Sequence, residues 1–202
     1  MRVKILLASS NASKLREYRA LAAEHASKID VELLPGFCEF PAFLEDAPTF
    51  AENAAGKALH YSWFTNEMVF ADDSGLVVPS LGGAPGVRSA RYAGENASDE
   101  DRNAKLLAEM HDKTSTARNA NFVCMIAAAK QGRTLAVVSD SVEGEIADEP
   151  RGGNGFGYDP LFYFPPLRKT FAELTEKEKN ELSHRGKAFR RLRDALATDS
   201  QT

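Results

Sequence analysis

The chain has 202 residues, 43% of them hydrophobic and 27% charged, with a formal net charge of −4 at neutral pH. That length buries a sizeable core and suits one domain, and the balanced composition excludes a disordered tail, a collagen-like repeat and a disulfide scaffold. No apolar run suits a membrane helix, the stretch after Met1-Arg-Val-Lys4 is too short for an export signal, and the mild acidity offers no broad face for nucleic acid.

Val3 to Ala8 reads as a short buried strand, followed after Ser9-Ser10-Asn11 by a helical pattern through Leu15, Tyr18, Leu21, Ala22 and His25. Val31 to Leu34 reads as a second strand stopped by Pro35-Gly36, and Phe37 to Pro48 as an ordered loop. Thr49 and Glu52 have the spacing of a capping box, which opens a helix carrying Phe50, Ala54, Ala58 and Tyr61 on one side. Met68 to Ala71 is an apolar strand that Asp72-Asp73-Ser74-Gly75 is expected to stop. After a Gly/Pro-rich loop, Leu81 to Gly86, and an Arg-Tyr segment at Arg91-Tyr92, Ser98 to Asp101 opens a third helix. Asn119 to Ala129 and Arg133 to Ile146 read as a hairpin around Lys130-Gln131-Gly132. Ser183 caps a last helix with Ala188, Phe189, Leu192, Ala195 and Leu196 on its inner face, and residues 198–202 are expected to fray. The expectation is one α/β domain over residues 1–202 with a mixed sheet.

Four segments are richer in polar, glycine or charged residues than a core requires. Ser9 to Lys14 joins a strand to a helix, where free amide N–H groups favour anions and Lys14 adds charge; an N-cap cluster with a surface lysine is the structural alternative. Asp72-Asp73-Ser74-Gly75 lies at a strand end, where open α/β sheets gather ligands. If the strand continued, only one aspartate would face a given cleft, and plain turn chemistry is the alternative. Arg151 to Pro160 carries glycines that permit close backbone approach, and Phe156 and Tyr158 that offer rings to a base; it opens no helix and so is not a dinucleotide fingerprint. Lys179 and Ser183-His184-Arg185 suit a phosphate or a carbonyl oxygen, against the alternative of a capped surface helix. Cys38 and Cys124 lack metal-ligand spacing and are expected to be reduced thiols of a cytoplasmic protein. No nucleophile elbow or P-loop is present. What remains is anion-binding segments, carboxylates and a stackable ring, which points to a nucleotide phosphate ester and metal-assisted chemistry.

In order along the chain, these segments resemble the inosine triphosphate pyrophosphatase family. The matching blocks are Ser9 to Lys14, Thr49 to Ala54 with Lys57, Ala71 to Gly75, Gly82 to Gly86, Ser89 to Tyr92, Gly155 to Pro160, and Ser183 to Arg185. The resemblance implies hydrolysis of the α–β phosphate link of ITP, dITP and XTP to the monophosphate and pyrophosphate, Mg2+ as cofactor, and a homodimer; on the charge and hydropathy above, neither nucleic acid nor membrane is expected as a partner. It implies a single elongated α/β domain of two lobes around a mixed sheet with flanking helices, the nucleotide lying in a cleft between the lobes. Ser9, Ser10, Asn11, Ala12, Ser13 and Lys14 match the phosphate loop, and Lys57 a phosphate-contacting lysine. Asp73 matches the metal-binding general base, Ser74 a substrate contact and Glu45 a second metal-site carboxylate. Phe156, Gly157, Tyr158 and Asp159 match the base-binding segment, and Lys179, His184 and Arg185 further substrate contacts.

Two departures stand out. Ser9-Ser10-Asn11 lacks the glycine of the family's usual Thr-Gly-Asn, and Leu44-Glu45-Asp46-Ala47-Pro48 replaces its Glu-Glu-Thr-Gly. The mechanism that follows has Mg2+ on Asp73, with Glu45 or Asp72, bridging the triphosphate while Asp73 activates a water. Lys14, Lys57 and Lys179 then stabilise phosphoryl charge, Phe156 stacks on the purine, and donors near His184-Arg185 meet its 6-oxo group. The alternatives are a pyrophosphatase of different base preference and a purine nucleotide sensor without catalysis.

Overall fold

The structure, a computed structural model, describes residues 3–23 and 29–199. In chain order its elements are β1 (Val3–Leu7), α1 (Ala12–Ala23), β2 (Ile29–Leu33), α2 (Phe50–Ser62), β3 (Met68–Val77), α3 (Asp99–Glu109), β4 (Asn119–Lys130), β5 (Arg133–Ile146), β6 (Phe162–Phe164), β7 (Lys169–Thr170), α4 (Glu176–Leu182) and α5 (His184–Asp199). The strands form a mixed seven-stranded sheet in the order β2-β1-β3-β4-β5-β6-β7. β1 runs parallel to β2 and β3, which calls for crossover connections, whereas β6 runs antiparallel to β5 and β7. This is the mixed α/β sheet with flanking helices that the sequence predicts. Among the described residues no helix is long and apolar enough to cross a membrane.

The chain divides into two compact units. One holds the described residues up to Asp73, with Cys124–Asp140 and those from Arg185 onward; the other holds Ser74–Val123 and Ser141–His184. In the first unit, the period-2 alternation of strand side chains sorts the core into two layers. Ile5, Leu7, Val31, Phe70, Cys124 and Ile126 pack with Tyr18 and Leu21 of α1 and Ala188, Phe189 and Leu192 of α5. Leu6, Ala8, Val69, Ala71, Ala127 and Ala129 pack instead with Ala54, Ala58 and Tyr61 of α2. Each large side chain buried this way is worth about 1.5–3 kcal/mol. The edge-on contact of Tyr18 with Phe70, ring centroids 5.1 Å apart, adds to the α1 layer. The second unit has its own core, in which Leu76, Val78, Phe122, Ile146, Tyr158, Phe162 and Phe171 surround Leu106 of α3 and Met110.

Two differences from the sequence reading bear on function. β3 does not stop at Asp72: it runs on through Asp-Asp-Ser-Gly to Val77, so the aspartates sit in mid-strand and the strand-end and turn readings are both corrected. The extension is possible because both faces of β3 are covered. A short helix, α4, lies where none is expected. Thr175 and Glu178 make a complete capping box at its start, and Ser183 is its C-cap as well as the residue before α5. His25 and residues 200–202 of the expected fraying tail lie outside the described residues, and α5 continues to Asp199.

Candidate active site

On β3, the alternation that sorts the core also separates the two aspartates. Asp72 shares its parity with Phe70 and points to the layer of α1 and α5, where Lys14 Nζ lies 2.9 Å from Oδ1 and Arg185 Nε 3.5 Å from Oδ2. Arg185 also donates to Glu17 Oε2 at 2.7 Å, so two acids and two bases interlock along α1, β3 and α5. Burial by itself would raise the Asp72 carboxyl, but Lys14 and Arg185 override it and hold it far below the usual carboxylate range. The Arg185 guanidinium is likewise buried, yet Glu17 and Asp72 keep it firmly charged.

Asp73 shares its parity with Val69 and Ala71 and faces α2, where Asn53 Nδ2 donates to its Oδ2 at 2.9 Å. Burial pushes this carboxyl up to about 6; the Asn53 hydrogen bond and Lys14 oppose the rise, and the Glu45 and Asp72 charges add to it. One residue therefore separates a permanently ionised carboxylate from one that exchanges a proton near neutral pH. The second is what general-base chemistry requires.

The phosphate-loop candidates surround the start of α1. Asn11 Oδ1 accepts the Lys14 amide at 3.0 Å and Ser9 Oγ accepts the Asn11 amide at 3.1 Å, an N-cap arrangement. Ser10 and Ala12 are exposed and Ser13 half-buried. Ser10 is not among the described residues with positive φ, so its backbone needs no glycine there. From α2, Lys57 Nζ pairs with Glu45 Oε1 at 2.7 Å. The loop bearing Glu45 is ordered, as expected: Tyr61 Oη accepts the Phe43 amide at 3.3 Å, and Phe43 packs on Gly56, where an added Cβ would lie 2.5 Å from its ring. At the start of α2, Thr49 Oγ1 accepts the Glu52 amide at 3.2 Å and donates to the Glu52 carboxylate at 2.6 Å.

In the second unit, the Phe156–Asp159 turn is fixed from inside and from α3. Asp159 Oδ2 accepts the Phe156 amide at 2.8 Å and pairs with Lys179, whose Nζ also sits 4.9 Å from the Phe156 ring centroid. An added Cβ on Gly155 would lie 2.0 Å from Asp159 Oδ2, so only glycine permits this approach. Asp99 Oδ2 accepts the Gly157 amide at 2.6 Å, and Asn103 Nδ2 donates to the Gly157 carbonyl at 3.0 Å. Tyr158 is turned inward: its ring lies in the core and its hydroxyl donates to Ser89 O at 2.9 Å. Ser74 is half-buried on β3. His184 is buried with its ring stacked on Phe122, centroids 4.6 Å apart.

The first unit thus brings Lys14, Lys57, Glu45 and Asp73 together and sets Arg185 in the other layer with Asp72 and Glu17; the second brings together Phe156, Asp159 and Lys179. Glu17, Asn53, Asp99 and Asn103 were not singled out by sequence. Glu17 had a signal, since a carboxylate three residues after Lys14 interrupts the apolar stripe of Tyr18 and Leu21.

A model of the Ham1 family matches residues 5–195. The chain belongs to the Ham1 family. A relative from Geobacillus kaustophilus, named dITP/XTP pyrophosphatase, is 49% identical over 94% of this chain and 92% of its own. One of the same name from Acinetobacter baumannii is 44% identical, covering 95% and 94%. Among solved structures, the Coxiella burnetii HAM1 protein superposes with a TM-score of 0.85 at 42% identity, covering 97% of this chain and 99% of its own. The Staphylococcus aureus Ham1 protein gives 0.84 at 40% identity with the same coverage. The resemblance read from the seven blocks is borne out.

Proposed function

We propose that the chain hydrolyses the non-canonical purine nucleoside triphosphates dITP, XTP and ITP to the monophosphate and pyrophosphate, removing them from the nucleotide pool. It is a nucleoside triphosphate pyrophosphatase, a hydrolase acting on acid anhydrides. The reading is carried by Asp73, a buried carboxylate poised near neutral pH beside Lys14, in a chain 49% identical to a dITP/XTP pyrophosphatase.

The donor set fits Mg2+. Asp73 and Glu45 are oxygen donors whose charges repel, and a hard cation relieves that repulsion. Mg2+ takes one or two carboxylates and completes its shell with water and phosphate oxygens. Asp72, committed to Lys14 and Arg185, is assigned a positioning role instead. A bound Mg2+ supplies charge neutralisation and polarisation of the scissile phosphate link.

Asp73 accepts the proton of the attacking water. Lys14, held by Asp72, and Lys57, held by Glu45, present fixed positive charge to the phosphoryl oxygens. Phe156 offers its ring to the base, and Lys179 and Asp159 fix the turn that carries it. Hypoxanthine and xanthine carry an oxo acceptor where adenine carries an amino donor. A donor aimed at that position rejects adenine by about 10⁴-fold. From the family resemblance we take a homodimer, and from the cysteine reading a cytoplasmic location; light scattering and cell fractionation test the two.

The test is pyrophosphate release with Mg2+ from dITP, XTP and ITP against dATP and dGTP. We expect kcat/KM to favour the first three over dATP by at least about a hundredfold. Equal turnover of dATP would refute the base assignment.

A further inference from the structure

Asn53 is 1% exposed and sits one helical turn before Lys57 on the same face of α2. Its amide group is used on two sides. Oδ1 accepts the Ala47 amide at 3.0 Å and Nδ2 donates to the Ala47 carbonyl at 3.3 Å, a two-point grip on one residue of the Glu45 loop. The same Nδ2 donates to Asp73 Oδ2 at 2.9 Å. Ala47 stands two residues beyond Glu45 and directly before Pro48, which biases Ala47 to extended backbone and so presents its N–H and C=O for such a grip. One turn further along α2, Lys57 Nζ holds the Glu45 carboxylate itself. The helix capped by Thr49 is therefore a rail on which both carboxylates are registered, Asp73 directly and Glu45 through its loop.

We propose that Asn53 is a positioning residue for the divalent cation: it fastens Asp73 and the Glu45 loop to one point on α2, so that their oxygens converge on a single ion. This rests on the reading of Asp73 and Glu45 as the cation's ligands. Only an amide side chain performs the task. Accepting from one backbone group while donating both to a carbonyl and to a carboxylate requires one oxygen and one NH₂ on the same short stem. Aspartate would lose both donations and set a second carboxylate against Asp73, and a hydroxyl would keep only one. Partners of this kind behind metal ligands typically change metal affinity by 10–100-fold when removed.

The experiment uses the full chain as wild type, Asn53→Ala and Asn53→Ser, with folding checked by circular dichroism. Two quantities are read: the Mg2+ concentration giving half-maximal pyrophosphate release at saturating dITP, and the Mn2+ retained by nucleotide-free protein, by electron paramagnetic resonance. Asn53→Ala should need at least about tenfold more Mg2+ and retain correspondingly less Mn2+, with Asn53→Ser between it and wild type. At saturating Mg2+ its kcat should return to within about threefold of wild type, a split that a merely structural role would not produce. An unchanged Mg2+ requirement with a fallen kcat overturns the proposal, as do two variants that fail to fold, which would assign Asn53 to the fold alone. A wild type indifferent to Mg2+ would instead remove the metal reading beneath it, a pattern seen without any variant.

Discussion

At Asp72 and Asp73, a single step along β3 turns the side chain from the layer of α1 and α5 to that of α2, and the two carboxyls part company in proton affinity. The same substitution should therefore have opposite effects on stability. In metal-free protein the Asp73 carboxyl rises from its ordinary 3.8 to about 6, so the folded chain binds that proton more tightly than the unfolded one. Stability then falls as pH rises through this window, and holding the ionised group above it costs about 3 kcal/mol. Asp73→Asn should raise the urea midpoint at pH 7.5 and converge with wild type towards pH 4, while abolishing turnover at every pH. Asp72 is the reverse case: its ionised form is favoured in the fold, so its contribution is present above its unfolded value and lost in acid. Asp72→Asn breaks a buried pair and leaves Lys14 without its counter-ion, and should cost about 3–5 kcal/mol at pH 7.5. Urea melts of both variants across pH 4–8 check the two signs together.

Helices in this protein act on the candidate site less by their termini than by what they hold. α2 grips the Glu45 loop through Asn53, Lys57, Gly56 and Tyr61, and α3 grips the Gly157 peptide from both sides through Asp99 and Asn103. The α3 grip yields its own test. Asp99→Ala removes a charged acceptor from the Gly157 amide, a bond of about 1.5–3 kcal/mol, and should raise KM for dITP about tenfold with little change in kcat. Michaelis curves separate that outcome from a uniform loss of folded protein. The helices differed in how far they were legible. α2 and α3 announce themselves by Thr49 and Ser98 with an acid three residues on and by a run of small or apolar positions. α4 has no apolar period to read, because six of its seven residues are charged or amide; only Thr175 and Glu178 mark it. β3 runs past its apolar stretch because Asp-Asp-Ser-Gly is turn chemistry only where neighbouring strands and helices do not cover it, and that covering is tertiary and so not legible locally.

Over the whole molecule, a net charge of −4 coexists with lysines and an arginine expected to meet an anion. Each of these is already paired: Lys14 with Asp72, Lys57 with Glu45, Lys179 with Asp159 and Arg185 with Glu17. The motif blocks made the cations legible, but their partners come from distant positions in the chain, and Glu17 belongs to no motif. Fixed pairs of this kind give short-range, oriented charge rather than a long-range basic field. Duplex DNA should therefore show no salt-dependent shift in a gel, a direct check on the expectation that nucleic acid is no partner. In the proposed function a water activated at Asp73 severs the α–β link of a purine triphosphate. Phosphorus NMR of dITP incubated with the protein and Mg2+ tests it most directly. The account predicts dIMP and pyrophosphate in equal amounts, with neither formed by Asp73→Asn; orthophosphate with dIDP, or turnover by Asp73→Asn, would contradict it.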